Sequence, residues 1–332
     1  MIKRGWRALL LLQILAALLA VWPSAAMPEM LVPVGSTVGI RLDADGLVVV
    51  GFDQENPSAA RDAGMQKGDI IKKVNGAAVG DCENFKSLVA GGGGRTVDVT
   101  VERRGKAVEL AIQPEKNGSG YQLGVYLRDS MAGIGTVTFY DPQNQVYGAL
   151  GHGVNDMESM VLLPLEDGEI MPSSVVEVQR GVSGAPGVLK GAFDTSKTLG
   201  TVESNTEHGI FGRGAQSLGV HEAVPVASRK EIRTGKATIL ANINNTTVQE
   251  YEVEITKLFP MELESGRNML LTITDQRLLR ATGGIVQGMS GSPILQDGKL
   301  VGAVTHVLVN NPTCGYGIFI ENMLENCEEY RS

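Results

Sequence analysis

Between residue 123 and the neighbourhood of Asn322 the sequence carries no long helical periodicity. Short apolar runs alternate there with glycines and turn dipeptides, which is the pattern of β-strands joined by tight turns. Ile134-Gly135-Thr136-Val137-Thr138-Phe139-Tyr140, stopped by Asp141-Pro142, is one such run. Val248–Leu258, Met269–Ile273 and Leu300–Val309 are others. The 42 glycines among 332 residues suit this reading, because glycine accepts positive φ without steric cost. They show no collagen period, and a hydrophobic content of 43% is too high for a disordered chain. A pair of β-barrels or a sandwich follows for this half.

The stretch from Ser36 to about Pro114 reads differently, as a compact α/β unit. Val38-Gly39-Ile40 opens a strand, and Gly46–Phe52 is a second apolar run bounded by glycines. Ser58–Gly64 is a short helix with a glycine stop, and Gly68–Gly76 is a strand ending in an Asn-Gly turn. Asp81–Ala90 is a helix, with Asp81 placed to cap it and Phe85, Leu88 and Val89 on one face. Thr96–Glu102 and Ala107–Ile112 alternate as closing strands. Residues 27–35 and 113–122 read as linkers. Pro57-Ser58-Ala59-Ala60, Ala63-Gly64-Met65 and Lys67-Gly68-Asp69-Ile70-Ile71 with Val74-Asn75-Gly76 resemble a PDZ domain of the type attached to exported bacterial proteases. The resemblance implies that the amides around Val38, Gly39 and Ile40 hold a peptide or a C-terminal carboxylate.

The N-terminus has the order of a secretory signal: Lys3, Arg4 and Arg7, then an apolar run from Ala8 to Trp22, then small residues ending at Ala26. Residues 1–26 are therefore a cleaved signal or, if retained, a membrane anchor, and the chain is exported. Removing that segment leaves 26 basic against 37 acidic residues, a net charge near −11. Such a surface repels phosphate backbones, so no nucleic-acid partner is expected. Cys82, Cys314 and Cys327 are an odd set; Cys314 and Cys327 are spaced to pair, or all three are small buried thiols. No CxxC or His/Cys cluster suggests a metal site, and no cofactor is expected.

Chemistry concentrates in Gly288-Met289-Ser290-Gly291-Ser292-Pro293-Ile294. A serine in a glycine-bracketed turn exposes its hydroxyl, and the amides of Gly288 and Ser290 are placed to stabilise an oxyanion. A Gln296–Lys299 turn and a returning strand, Leu300–Thr305, follow. The whole arrangement resembles the nucleophile region of chymotrypsin-like proteases. A serine hydroxyl needs a base. His152, in Gly151-His152-Gly153 at the end of a β run, precedes Ser290 by 138 positions in the base-then-nucleophile order. His208 and His221 lie in polar contexts and read as surface residues. Thr305 and His306, on the returning strand, are candidates for the substrate groove.

Longer stretches carry a wider resemblance: Gly124–Ser130 with Ala132–Thr136, Gly151–Gly153, Gly288–Pro293, Ala303–Val307 and Gly315–Ile318 resemble the SpoIVB-type sporulation serine peptidases. The likeness spans essentially the whole chain. It implies a mainly β protein, an N-terminal PDZ-like α/β module (36–114) followed by a chymotrypsin-like double β-barrel peptidase domain (123–332). It implies Asp275 as the acid that orients His152. Ordinary chymotrypsin-like spacing instead favours Asp194, 42 residues after the histidine. It further implies an exported endopeptidase in the space between forespore and mother cell, which cuts a membrane-bound regulatory protein and itself. Two other readings remain open on the residues: a PDZ-led binding protein with an inactive peptidase-like domain, and a degradative exported protease.

Overall fold

The structure, a computed structural model, describes residues 28–327 apart from 119, 215 and 260–265. The signal or anchor segment 1–26 lies outside the described residues. Among those described, no helix is long and apolar enough to cross a membrane.

Strands of at least four residues are numbered β1–β16. Met30–Pro33 is β1 and Thr37–Phe52 is β2; Ala59–Asp62 is helix α1. Ile70–Val74 is β3, Cys82–Gly91 is α2, and Val97–Arg103 and Lys106–Ile112 are β4 and β5. The next strands are β6 (Val125–Asp141), β7 (Val146–Ala149), β8 (Leu165–Gln179), β9 (Val188–Phe193) and β10 (Gly209–Arg213). The remainder comprises β11 (Gly235–Asn244), β12 (Thr247–Leu258), β13 (Met269–Ile273), α3 (Gln276–Thr282), β14 (Pro293–Gln296), β15 (Lys299–Val307), β16 (Cys314–Phe319) and α4 (Ile320–Asn326).

The local expectations for the α/β unit hold, for reasons visible in its caps. Ser58 accepts the amide of Arg61 and caps α1, while Asp81 accepts that of Asn84 at 2.7 Å and caps α2. Phe85 and Val89 turn into a core with Ile71, Val74, Val97, Val99 and Val101. Asp69 of the Gly-Asp pair is buried and accepts two hydrogen bonds of 2.7 Å from Arg103, a bidentate pair that ties β4 to the turn before β3. Helix α3 has no counterpart in the sequence reading, because seven residues are too few to establish a helical period.

The C-terminal half closes into a six-stranded barrel, in the order β11-β12-β13-β16-β15-β14. The N-terminal β unit comes back on itself as the other barrel: β10, β7, β6, β2 and β8 pair in turn, β8 pairs with Gly200–Thr201, and Gly200 bridges Gly214 at the end of β10. Its sheet runs β10-β7-β6-β2 and continues through β3, β4 and β5 into the PDZ module. The continuity rests on two long strands, β2 and β6, which pair antiparallel from Thr37↔Thr136 to Phe52↔Val125 with two bulges on the way. Residues 27–35 are more than a linker, since β1 pairs with β6 and with Val224–Pro225. Residues 113–122 likewise contain a small hairpin, Glu115–Asn117 with Gly120–Gln122.

A separate apolar cluster seals the two β units together: Leu31, Phe139 and Phe211 from one side meet Leu300, Ile318 and Met323 from the other. Each large side chain buried there contributes roughly 1.5–3 kcal/mol, so the seam between the units is held rigidly. The cysteines form no disulfide in the structure. Cys314 sits on β16 against Thr272, while Cys327 is buried in the seam.

Candidate active site

The His152 loop begins where β7 ends. The chain reverses through Leu150 (φ 69°) and Gly151 (φ 70°). A Cβ on Gly151 would stand 2.9 Å from Cγ2 of Thr305 and 3.0 Å from Cγ2 of Ile318, so glycine is what lets this loop lie on the second barrel. The His152 ring is half-buried, with Nδ1 2.9 Å from the carbonyl of Gly153. That carbonyl only accepts, so Nδ1 carries the proton and Nε2 keeps its lone pair. Burial holds the ring's pKa below the ordinary histidine value, with the Gly153 contact opposing it, so the imidazole is neutral at pH 7.

Ser290 is presented by a turn with left-handed glycines on both sides, Gly288 (φ 99°) and Gly291 (φ 97°). A Cβ on Gly291 would overlap the carbonyl of Thr136 and stand 2.6 Å from the amide of Leu150. The serine turn is therefore wedged between β6 and the first residue of the histidine loop. Within the turn, the amide of Met289 donates to Val286, that of Gly291 to Val304 and that of Ser292 to Met289. The amides of Gly288 and Ser290 donate to no described residue, which leaves them available to an outside acceptor.

Both loops rest on Thr305. Gly151 packs on its methyl group, and the Ser290 hydroxyl donates to its carbonyl at 2.8 Å. The Thr305 hydroxyl is buried and donates to the carbonyl of Gly266 at 2.7 Å. His306 follows, its ring centroid 5.1 Å from that of His152 with the planes tilted by 39°. Burial, then His152 and Arg267, push its pKa down to about 4, so it too is neutral. The fold sets Ser290 on Thr305 and His152 beside His306, with the Ser290 hydroxyl donating to the Thr305 carbonyl rather than to His152. His208 is half-buried, in a hairpin whose Thr206 packs on Gly153, and His221 is exposed.

Neither candidate acid reaches His152 in this structure. Asp275 is the N-cap of α3, where it accepts the amide of Arg277 at 2.8 Å and that of Glu252 at 3.3 Å. Its second oxygen lies 2.7 Å from Nη2 of Arg277, and this pairing lowers its pKa to about 2 against a partial opposing effect of burial. A carboxylate at a helix start, flanked by an arginine two residues on, is satisfied locally. Asp194 is engaged by Ser196 and Lys197 on the surface. Among the described residues, the hydrogen-bond partner of His152 is the Gly153 carbonyl instead.

The PDZ cleft also differs from the reading at Val38, Gly39 and Ile40. Those residues lie mid-strand, paired with β6 on one side and β8 on the other, so their amides serve the ladder. Val38 and Ile40 are buried in the core of the peptidase's N-terminal unit. The module's cleft, about 630 Å³, opens instead between α2 and the start of β6, lined by Phe85, Val89 and Leu123–Leu127. Val125–Leu127 pair with β2 on one edge only. Gly124 (φ 68°) turns the chain into that edge, and a Cβ there would meet the Pro57 carbonyl at 2.8 Å. Leu123-Gly124-Val125 repeats the apolar-glycine-apolar pattern of Val38-Gly39-Ile40, the signal that pointed to the wrong copy. Cys82 borders the cleft as a thiol, pushed up to about 12 by burial and then by Asp129.

The family model for the SpoIVB peptidase S55 matches residues 119–324, more than half of the chain. The chain belongs to the S55 peptidase family. A PDZ-domain model matches residues 35–113 of this S55 chain. Curated relatives match over shorter stretches. The regulator of sigma-E protease RseP of Escherichia coli K12 is 35% identical over 90 residues, 27% of this chain and 20% of that protein. The serine protease Do-like HtrA of Lactobacillus helveticus is 36% identical over 83 residues, 25% of this chain and 20% of that one. The S55 chain thus spans a fifth or less of the length of the curated relatives it matches. Among solved structures, the Rv3671c protease in its inactive form is 14% identical, with a TM-score of 0.34 over 59% of this chain and 84% of that one. The PDZ domain of the SdrC-like protein of Listeria monocytogenes is 21% identical, with a TM-score of 0.22 over 25% of this chain and 87% of that one.

Proposed function

We propose that this S55 peptidase is an exported endopeptidase in which Ser290 is the nucleophile and His152 its base. The carrying observation is the contact of the two loops: Gly291 is wedged against Leu150, and Gly151 and Ser290 meet on Thr305. In the first step the Ser290 hydroxyl leaves the Thr305 carbonyl and gives its proton to Nε2 of His152, while its oxygen attacks the peptide carbonyl. The Gly153 carbonyl fixes the tautomer that this step needs. The amides of Gly288 and Ser290 receive the oxyanion. The imidazolium then protonates the leaving amine, and water resolves the acyl-enzyme through the same base.

The substrate in this reading is an extracytoplasmic segment of a membrane-bound regulatory protein, cut in a sporulation signalling pathway, with self-cleavage as a second reaction. Family membership and the basic, apolar and small-residue order of residues 1–26 support it. The PDZ cleft supports recruitment of an extended peptide or C-terminus, added as a strand to the edge at Val125–Leu127. A fluorophosphonate probe tests the core of the proposal. It should label Ser290 in the wild-type chain and fail to label His152→Ala, and an unlabelled wild-type chain would favour an inactive binding protein. N-terminal sequencing of the mature protein tests export and self-processing together.

A further inference from the structure

The serine turn is gripped from one side by a single strand that holds no catalytic group. On β6, the Thr136 hydroxyl donates to the carbonyl of Gly288 at 2.7 Å, and the Thr136 amide donates to the carbonyl of Ser290 at 3.0 Å. Two residues on, the Thr138 hydroxyl donates to the carbonyl of Gly291 at 2.8 Å. Both threonines are fully buried, with 1% and 0% exposure. The Thr136 carbonyl completes the clamp by accepting the amide of Leu150, at the head of the histidine loop.

Each peptide unit is planar. The carbonyls of Gly288 and Ser290 belong to the two units that flank the one carrying the Ser290 amide, and the first of them also adjoins the unit of the Gly288 amide. Fixing those carbonyls therefore restricts where both amides aim. With Gly288 at φ 99°, a conformation open to glycine, the turn has other orientations within reach when its carbonyls are released. We infer that Thr136 is a positioning residue for catalysis: its hydroxyl and amide set the serine turn so that the Gly288 and Ser290 amides face the substrate carbonyl. This rests on Ser290 being the nucleophile. The same residue holds the histidine loop through its carbonyl, so it registers base and nucleophile against one strand. A valine keeps the shape and the strand propensity but removes the hydroxyl, leaving the Gly288 carbonyl without its donor.

The test compares Thr136→Val with Thr136→Ser in the full chain, reading the fluorophosphonate labelling rate, kcat and KM on a cleavable peptide, and thermal unfolding. Thr136→Val should lose about ten- to a hundredfold in labelling rate and kcat with KM unchanged, because misplacement by a fraction of an ångström acts on the transition state. Thr136→Ser should recover to within about threefold of wild type. Should the valine chain fold poorly, Thr136→Ala removes the same hydroxyl without adding bulk, and the same loss is expected. Wild-type rates in the folded valine or alanine chain overturn the inference, as does a serine chain no faster than valine. Absence of labelling in the wild-type chain would instead strike the assignment of Ser290, and so separates the two failures.

Discussion

Ser290 and Asp275 lie 15 residues apart and both carry chemistry in the sequence, yet the fold treats them oppositely. Asp275 is satisfied where it stands: the Arg277 amide, the Glu252 amide and the Arg277 guanidinium take both of its oxygens. The Ser290 turn is held by its carbonyls, while two of its amides donate to no described residue. A group whose hydrogen bonds are complete stabilises the fold, whereas one with donors in reserve is fit to bind something else. The difference separates a cap from a turn fitted to the proposed chemistry better than residue type does.

Substitutions can break that contrast. The largest effect is expected for His152→Ala and Ser290→Ala, each lowering peptide cleavage by at least about 10⁴-fold, as removal of a nucleophile or its base does elsewhere. Unfolding temperatures should stay close to wild type, and full cleavage by Ser290→Ala would reject the assignment. Gly291→Ala comes next. Its Cβ would overlap Thr136 in a left-handed conformation, so calorimetry should report a loss of about 3 kcal/mol or more along with activity. A stable, active alanine variant would mean that the turn is not wedged as described.

Asp275→Ala is expected to cost about 1–2 kcal/mol of stability through the lost cap, with Asp275→Asn recovering most of it at neutral pH. If catalysis by folded Asp275→Asn dropped a hundredfold, the carboxylate would belong with His152 in the working enzyme and the contrast would fail. The wild-type carboxylate has a pKa depressed to about 2, so its contribution is present above the unfolded value near 3.8 and fades as pH falls from there towards 2. The asparagine variant should lack that acid-dependent component in thermal melts. The smallest effect concerns His152: burial lowers its pKa, so cleavage should persist somewhat below pH 6.5 before failing on acidification. An acid limb above 6.5 would contradict the buried, neutral base.

Much of this was legible in the sequence because it rested on local rules. Ser58 and Asp81 cap helices, and glycines bracket Ser290. The runs Val248–Leu258 and Met269–Ile273 keep their limits to within a residue, while the strand of Leu300–Val309 stops at Val307. What was not legible depended on pairing. Nothing local distinguishes Val38-Gly39-Ile40 from Leu123-Gly124-Val125; one is buried between two strands and the other borders a cleft. Thr136 reads as an ordinary β-branched strand residue, and only its partner across 152 positions gives it a role. The Gly153 carbonyl could not be anticipated either, since a backbone acceptor has no signature in the residue type.

The paired strands β2 and β6 begin in one unit and end in the other, so the boundary between them crosses hydrogen-bonded sheet. Excising residues 36–114 as a contiguous block would tear out the strand on which β6 and β8 both depend, and would leave the catalytic half with an open seam. Asp43 and Ser130 already face each other across the ladder. A short turn joining those two positions would bypass the peptide-binding module and keep the rest of the sheet in register.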